Sequence, residues 1–153
     1  MILDPVLEKA DRYCQLLREL DLRLVKAVDT HLHADHVTGL GELRDRTQCI
    51  TIMGEQSKAD VVSMRVSDGD KVMIEGLSLD VMYTPGHTSA CITLFDQDKG
   101  LLFASDTLMP GGVMGGVFGS GSIADYIQSL ERLKGLNSKI LLSGHGRLEQ
   151  PAD

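Results

Sequence analysis

The chain has 153 residues, 42% hydrophobic and 24% charged, the balance of an ordinary globular protein, which excludes disorder as its main description. Lys and Arg number 15 against 22 Asp and Glu, for a net charge of -7, and no basic stripe tracks a phosphate backbone, so nucleic acid is not an expected partner. No stretch approaches ~20 uninterrupted apolar residues, and Met1-Ile2-Leu3-Asp4-Pro5 lacks the basic flank of a signal peptide. The expectation is a single cytoplasmic domain over 1–153, with no membrane partner.

In chain order, residues 4–20 carry apolar positions at three- and four-residue steps and predict an amphipathic helix, with Asp4 as N-cap and Pro5 in its first turn. Residues 22–28 read as a strand running into Asp29-Thr30-His31-Leu32-His33. A helix is expected over 37–46, with Gly39 and Gly41 inside it, and a short strand over 49–53. Residues 71–74 and 77–83 flank Glu75-Gly76 as a hairpin, and 91–95 and 101–104 repeat the pattern around a longer loop. Six glycines between 110 and 121 predict an irregular loop. Ser122 then caps a helix to about residue 136, with Asp125 placed as in a capping box. Residues 139–142 form a last strand ending in Ser143-Gly144-His145-Gly146. Helices and strands alternate early and hairpins fill the middle, which indicates a layered α/β arrangement.

All five histidines, His31, His33, His36, His87 and His145, fall at the end of an expected strand or in the loop after it. Three lie in Thr30-His31-Leu32-His33-Ala34-Asp35-His36; His87 is presented by Pro85-Gly86; Asp106 follows the apolar run 101–104; His145 sits between two glycines. The triple by itself is equally a His-rich surface loop and a ligand set, and the remaining strand-end positions favour the ligand set. Imidazole and carboxylate together suit zinc, iron or manganese.

This pattern, His-x-His-x-Asp-His at 31–36, Pro-Gly-His at 87, Asp at 106 and Gly-His-Gly at 145, resembles the metallo-β-lactamase fold superfamily. The resemblance implies an αββα sandwich with metals at one edge between two sheets. Carried over by position, His31, His33 and His87 would hold a first metal, Asp35, His36 and His145 a second, and Asp106 would bridge them. It implies one or two divalent metals, zinc first and iron second, and Asp35 and Asp106 as catalytic carboxylates, Asp35 orienting or deprotonating water where one metal is bound. Metal-bound hydroxide would then attack without a serine or cysteine nucleophile. Thr30, Thr84, Thr88 and Ser143 are adjacent groups that could orient the imidazoles.

Segments 2–8, 30–39, 78–81 and 84–88 resemble the persulfide dioxygenases and their relatives the hydroxyacylglutathione hydrolases. In the former, one iron held by the equivalents of His31, His87 and Asp106 serves the oxidation of glutathione persulfide by O2. Those dioxygenases carry a Gly-Arg-Thr-Asp segment after the bridging aspartate, whereas residues 109–119 here contain neither Arg nor Asp. An anionic glutathione substrate is expected to meet an Arg or Lys, so this loop suits a neutral or apolar small molecule. Hydrolysis of an ester, thioester or lactam-type bond is therefore the first reading and persulfide oxidation the second. Family members usually place strands ahead of the segment matching 3–5, so the resemblance also implies a fold lacking N-terminal strands. Either a second copy covers the exposed edge or the fold is a reduced one with a compromised site, which gives a third reading: a weakly active metal-binding fold, a homodimer with the glycine loop as its contact surface. Flavodiiron relatives fit less well because His33 stands where they would have Glu.

Cys14 and Cys49 read as small buried residues, and the odd set of Cys14, Cys49 and Cys91 suits reduced thiols. Cys91, four residues past His87, is a structural thiol or one with a metal-proximal or redox role; Met109 and Met114 read as packing; Tyr83 and Tyr126 could reach the site. Glu42, Arg44, Asp45 and Arg46 form a solvated helix face.

Overall fold

The computed structural model describes residues 1–109, 111 and 115–146; the expected packing role of Met114 lies outside the described residues. Backbone contacts divide the chain into two compact units, Met1–Arg65 and Val66–Asp153.

In the first unit the strands are β1 (Ile2–Leu3), β2 (Lys26–Val28), β3 (Ile50–Gly54) and β4 (Met64–Val66), which ends on the first residue of the second unit. Their sheet order is β1-β2-β3-β4, and the pairs β1–β2 and β2–β3 are parallel. Helix α1 (Ala10–Glu19) turns Tyr13, Cys14 and Leu17 towards a core of Leu24, Ala27, Leu40, Leu43, Cys49 and Met53, to which α2 (Leu40–Thr47) contributes its own buried pair. Parallel strands place their C-terminal ends together, so the residues after β1 and after β2 emerge at one edge of the sheet.

The second unit contains β5 (Lys71–Ile74), β6 (Leu77–Tyr83), β7 (Ile92–Asp96), β8 (Leu101–Ser105), α3 (Ile123–Lys134) and β9 (Ile140–Ser143). The sheet order is β5-β6-β7-β8-β9, antiparallel except for the last pair. Strands β6, β8 and β9 consequently run in the same direction and finish at the same edge. Met82, Phe95, Leu102, Ala104 and Leu133 form its core. Ser122 caps α3 as expected, its hydroxyl accepting from the Asp125 N–H. The fold is mixed α/β, and among the described residues no helix is long and apolar enough to cross a membrane.

Several boundaries differ from expectation. Residues 4–20 are not one helix: Ile2-Leu3 pairs with β2, Asp4 takes φ 47 with its N–H bonded to Val28 O, and a 3-10 turn at Leu7–Lys9 precedes α1. Asp4 is therefore not an N-cap; pairing with a neighbouring strand has overridden local helix propensity. The strand at 22–28 shrinks to β2, with Leu22 and Val25 exposed. Helix α2 begins three residues later than expected because Val37 O and Thr38 bond to the segment at Val6 and Leu7. Strands β1 and β4 were not expected at all.

Candidate metal centre

The His-rich loop leaves β2 and is clamped on both sides. Leu7 N–H donates to Val37 O, Gly39 N–H donates to Pro5 O, and Asp29 N–H donates to Ile52 O. Asp4, at the end of β1, reaches into this loop: Oδ1 accepts the Thr30 N–H at 2.7 Å and Oδ2 the Thr30 hydroxyl at 3.0 Å. Because the hydroxyl proton is committed to Asp4, Thr30 Oγ1 accepts from His31 Nδ1 at 3.0 Å, which leaves His31 Nε2 as the unprotonated nitrogen.

Two groups in the first unit offer atoms close enough to share an ion, His33-Asp35-His36 and Asp4-Asp29-His33. His36 Nδ1 lies 3.2 Å from Asp35 Oδ1. His33 Nε2 is 3.2 Å from Asp4 Oδ1, within ion-pair range but out of hydrogen-bond alignment. His33 Nε2, His36 Nε2 and Asp29 Oδ1 are buried with no hydrogen-bond partner among the described residues, a costly arrangement for a protein without a ligand there.

Charge balance follows burial. Asp29 is buried, and removal from water pushes its carboxyl up to about 7, helped by nearby Asp4 and opposed by Thr38 and His33. Burial pulls the His33 imidazole down, but Asp4, Asp29 and Asp35 outweigh it and hold it above the ordinary histidine value. Burial likewise pushes Asp35 up, yet its own backbone N–H and the charges of His36 and His33 prevail and hold it below the usual carboxylate range.

The second unit assembles His87, Asp106 and His145 at the shared edge of β6, β8 and β9. Ser105, at φ 45, ends β8 and turns Asp106 out; Ser105 pairs with Ser143, so His145 leaves the adjacent strand beside it. His87 Nε2 and His145 Nε2 lie 3.6 and 3.5 Å from the same oxygen, Asp106 Oδ2. His87 Nδ1 donates to Gly115 O at 2.9 Å and faces Gly116 O at 3.2 Å, so its proton is on Nδ1 and the unprotonated Nε2 is the nitrogen turned towards Asp106. Tyr126, fully buried on α3, locks this loop: its hydroxyl faces Thr107 O at 2.7 Å and Asp106 O at 2.9 Å and accepts the Gly115 N–H at 2.9 Å. A Cβ on Gly115 would overlap Asp106 O, and one on Gly144 would overlap Asp106 Oδ1.

The metallo-beta-lactamase superfamily matches residues 1–145. The chain belongs to that superfamily. Among curated proteins it is similar to the mitochondrial persulfide dioxygenase ETHE1 of Homo sapiens, 40% identical over 110 residues, 71% of this chain and 43% of that protein. It is also similar to a hydroxyacylglutathione hydrolase of Rhodopseudomonas palustris, 39% identical over 127 residues, 80% of this chain and 49% of that one. The chain thus spans about half the length of these relatives. A crystal structure of ETHE1 from Myxococcus xanthus superposes with a TM-score of 0.87 at 34% identity, covering 97% of this chain and 67% of that one.

All seven histidine and aspartate positions expected as ligands are described residues: His33, Asp35 and His36 lie together in the first unit, with the His31 ring 4.0 Å from that of His33, and His87 and His145 approach Asp106 in the second. Of the hydroxyls considered for orienting imidazoles, only Thr30 faces a ring nitrogen. Thr84 bonds to Thr93, Thr88 to Cys91, and Ser143 donates to His145 O. Cys91 is buried with its sulfur on the Thr88 N–H and hydroxyl, which is a packing role. Tyr83 donates to Ser89 O. Sequence reasoning missed Asp4 and Asp29 as neighbours of His33, and the Gly115 and Gly116 carbonyls as partners of His87. Asp4 precedes Pro5, which bars it from helical backbone, but an N-cap satisfies the same restriction, so only its pairing with β2 separates the two roles.

Proposed function

We propose that this chain is a cytoplasmic, metal-dependent hydrolase acting on an ester, thioester or lactam-type bond of a small molecule, with zinc as first metal and iron as second. The carrying observation is the pair of buried Nε2 atoms on His33 and His36 that have no hydrogen-bond partner among the described residues, together with the convergence of His87 and His145 Nε2 on Asp106 Oδ2 in the second unit. Neutral imidazoles with carboxylates are the donor chemistry for such ions. On this reading His31, His33 and His87 hold one metal, Asp35, His36 and His145 a second, and Asp106 is shared. The superfamily match runs through both ligand sets and supports reading the two units as halves of one domain over 1–153.

A bound divalent metal supplies Lewis acidity, lowering the pKa of water towards neutrality and polarising the bond under attack. The protein's own contribution is orientation and proton handling. The Asp4–Thr30 pair and the Gly115 carbonyl fix the tautomers of His31 and His87. Asp35, held below the usual carboxylate range and half exposed, is ionised at neutral pH, as a metal-ligating carboxylate must be; with one metal bound it would orient the attacking water instead.

A second reading, iron-dependent persulfide oxidation, is favoured by the likeness to the human persulfide dioxygenase ETHE1 and to the ETHE1 structure from Myxococcus xanthus. Metal analysis of protein purified without chelator, followed by thioester, lactone and lactam substrates, separates them. The hydrolase reading expects at least one equivalent of zinc and a loss of turnover in His33→Ala of about 100-fold or more. Oxygen uptake with glutathione persulfide by iron-loaded protein overturns it in favour of the dioxygenase. Stoichiometric metal with neither activity identifies a metal-binding fold.

A further inference from the structure

The glycine-rich loop does more than brace His87, because it also displays an aromatic ring beside it. Phe118 stands edge-on to the His87 imidazole, with ring centroids 5.3 Å apart and planes at 68°. The ring is 52% exposed and its neighbour Val117 38%. Its position is held from the backbone: Phe118 N–H donates to His87 O at 2.9 Å and Phe118 O accepts from Gly121 N–H at 2.8 Å. Gly116, at φ 73, leaves room beneath the ring, since a Cβ there would press on Phe118 Cε2.

Holding a large apolar side chain half in water next to metal-ligating residues forgoes burial that would otherwise stabilise the fold. The loop that carries it is itself uncharged: no Lys or Arg occurs between Lys99 and Arg132, and no Asp or Glu between Asp106 and Asp125. A glutathione group, with two carboxylates and an ammonium, finds no counter-ion on this loop, whereas an uncharged apolar group gains by leaving water here.

We infer that Phe118, with Val117, is the specificity-determining surface for an uncharged alkyl or aryl acyl group held beside His87. The inference rests on the hydrolase reading and narrows it to apolar acyl substrates. Phe118 contacts the substrate's side group and takes no part in bond cleavage.

The test uses zinc-loaded full chain with p-nitrophenyl acetate, butyrate and octanoate against S-lactoylglutathione. kcat/KM is expected to rise with chain length and to be lowest for the glutathione thioester. Phe118→Ala should cut the octanoate-to-acetate ratio about tenfold, Phe118→Leu should restore most of it, and Met73→Ala, which removes an equally exposed apolar side chain on β5, should leave it unchanged. A uniform loss on all esters in Phe118→Ala overturns the inference, because a ring that only orients His87 would slow every substrate alike; preference for S-lactoylglutathione overturns it too. A readout independent of turnover comes from Phe118→Trp, the chain having no tryptophan of its own. Its emission is expected to shift saturably with octanamide and not with glutathione. Absence of ester turnover together with that shift sinks the hydrolase reading while leaving the apolar site standing, and an emission indifferent to octanamide overturns the site itself.

Discussion

At the scale of single residues, Asp4 governs more of the site than any residue the motif itself contains apart from the ligands. It accepts both the backbone N–H and the hydroxyl of Thr30, and that hydroxyl sets the His31 tautomer. Asp4→Ala frees Thr30 Oγ1 to donate to His31 Nδ1, which would shift the proton to Nε2 and occupy the nitrogen needed for metal. The expected result is zinc affinity lower by about 10- to 100-fold with the fold retained, checked by chelator competition alongside circular dichroism. The histidine and aspartate motif was legible because imidazole and carboxylate at these spacings have few other uses. Asp4 was not, because its role depends on a partner 26 residues away.

At the scale of elements, direction decides which side chains meet. Strands β6, β8 and β9 share a direction, so the residues after Tyr83, Ser105 and Ser143 emerge together, and α3 lays Tyr126 across the loop that supports them. Tyr126→Phe leaves the Gly115 N–H without its acceptor and is expected to destabilise the protein by about 1–3 kcal/mol, read from urea unfolding. It should also lower zinc affinity, since Gly115 O orients His87. The hairpin of β5 and β6 was readable to the residue: its two runs flank Glu75-Gly76, and Gly76 takes φ 73, the left-handed backbone such a turn demands. Strands β1 and β4, two and three residues long, are too short to carry a period and exist only through their sheet neighbours.

At the scale of the whole molecule, stability should respond to metal and to acid. On the proposed reading, a metal whose ligands come from both 31–36 and 87–145 binds only the state in which both sets are folded. Zinc at about 100 times its Kd is expected to add about 2.7 kcal/mol, seen as a rise in Tm that EDTA reverses. Acid acts through Asp68, whose carboxylate receives two Arg132 hydrogen bonds, at 2.7 and 3.1 Å, and the Tyr83 N–H. Arg132 foremost holds Asp68 below the usual carboxylate range, against the opposing push of burial. A depressed folded-state pKa stabilises above the unfolded value of about 3.9 and is lost as pH falls through the folded value. Asp68→Asn should therefore lower Tm at pH 7, and the difference from the parent protein should shrink below about pH 4; thermal melts across that window check it. Both side chains are substantially exposed, so high salt should reduce the effect.

The sequence by itself determined the class of chemistry, because metal ligation is a property of side-chain types and every histidine stood where a strand gives way to a loop. It also determined the long elements, whose apolar spacing repeats often enough to be read. Only the tertiary structure decided which groups set each imidazole's proton, that Asp4 ends a strand instead of starting a helix, and that Phe118 stands half exposed against His87. Those outcomes depend on strand direction, on carbonyls that carry no residue identity, and on contacts between residues far apart in the chain, none of which leaves a local period or composition to read.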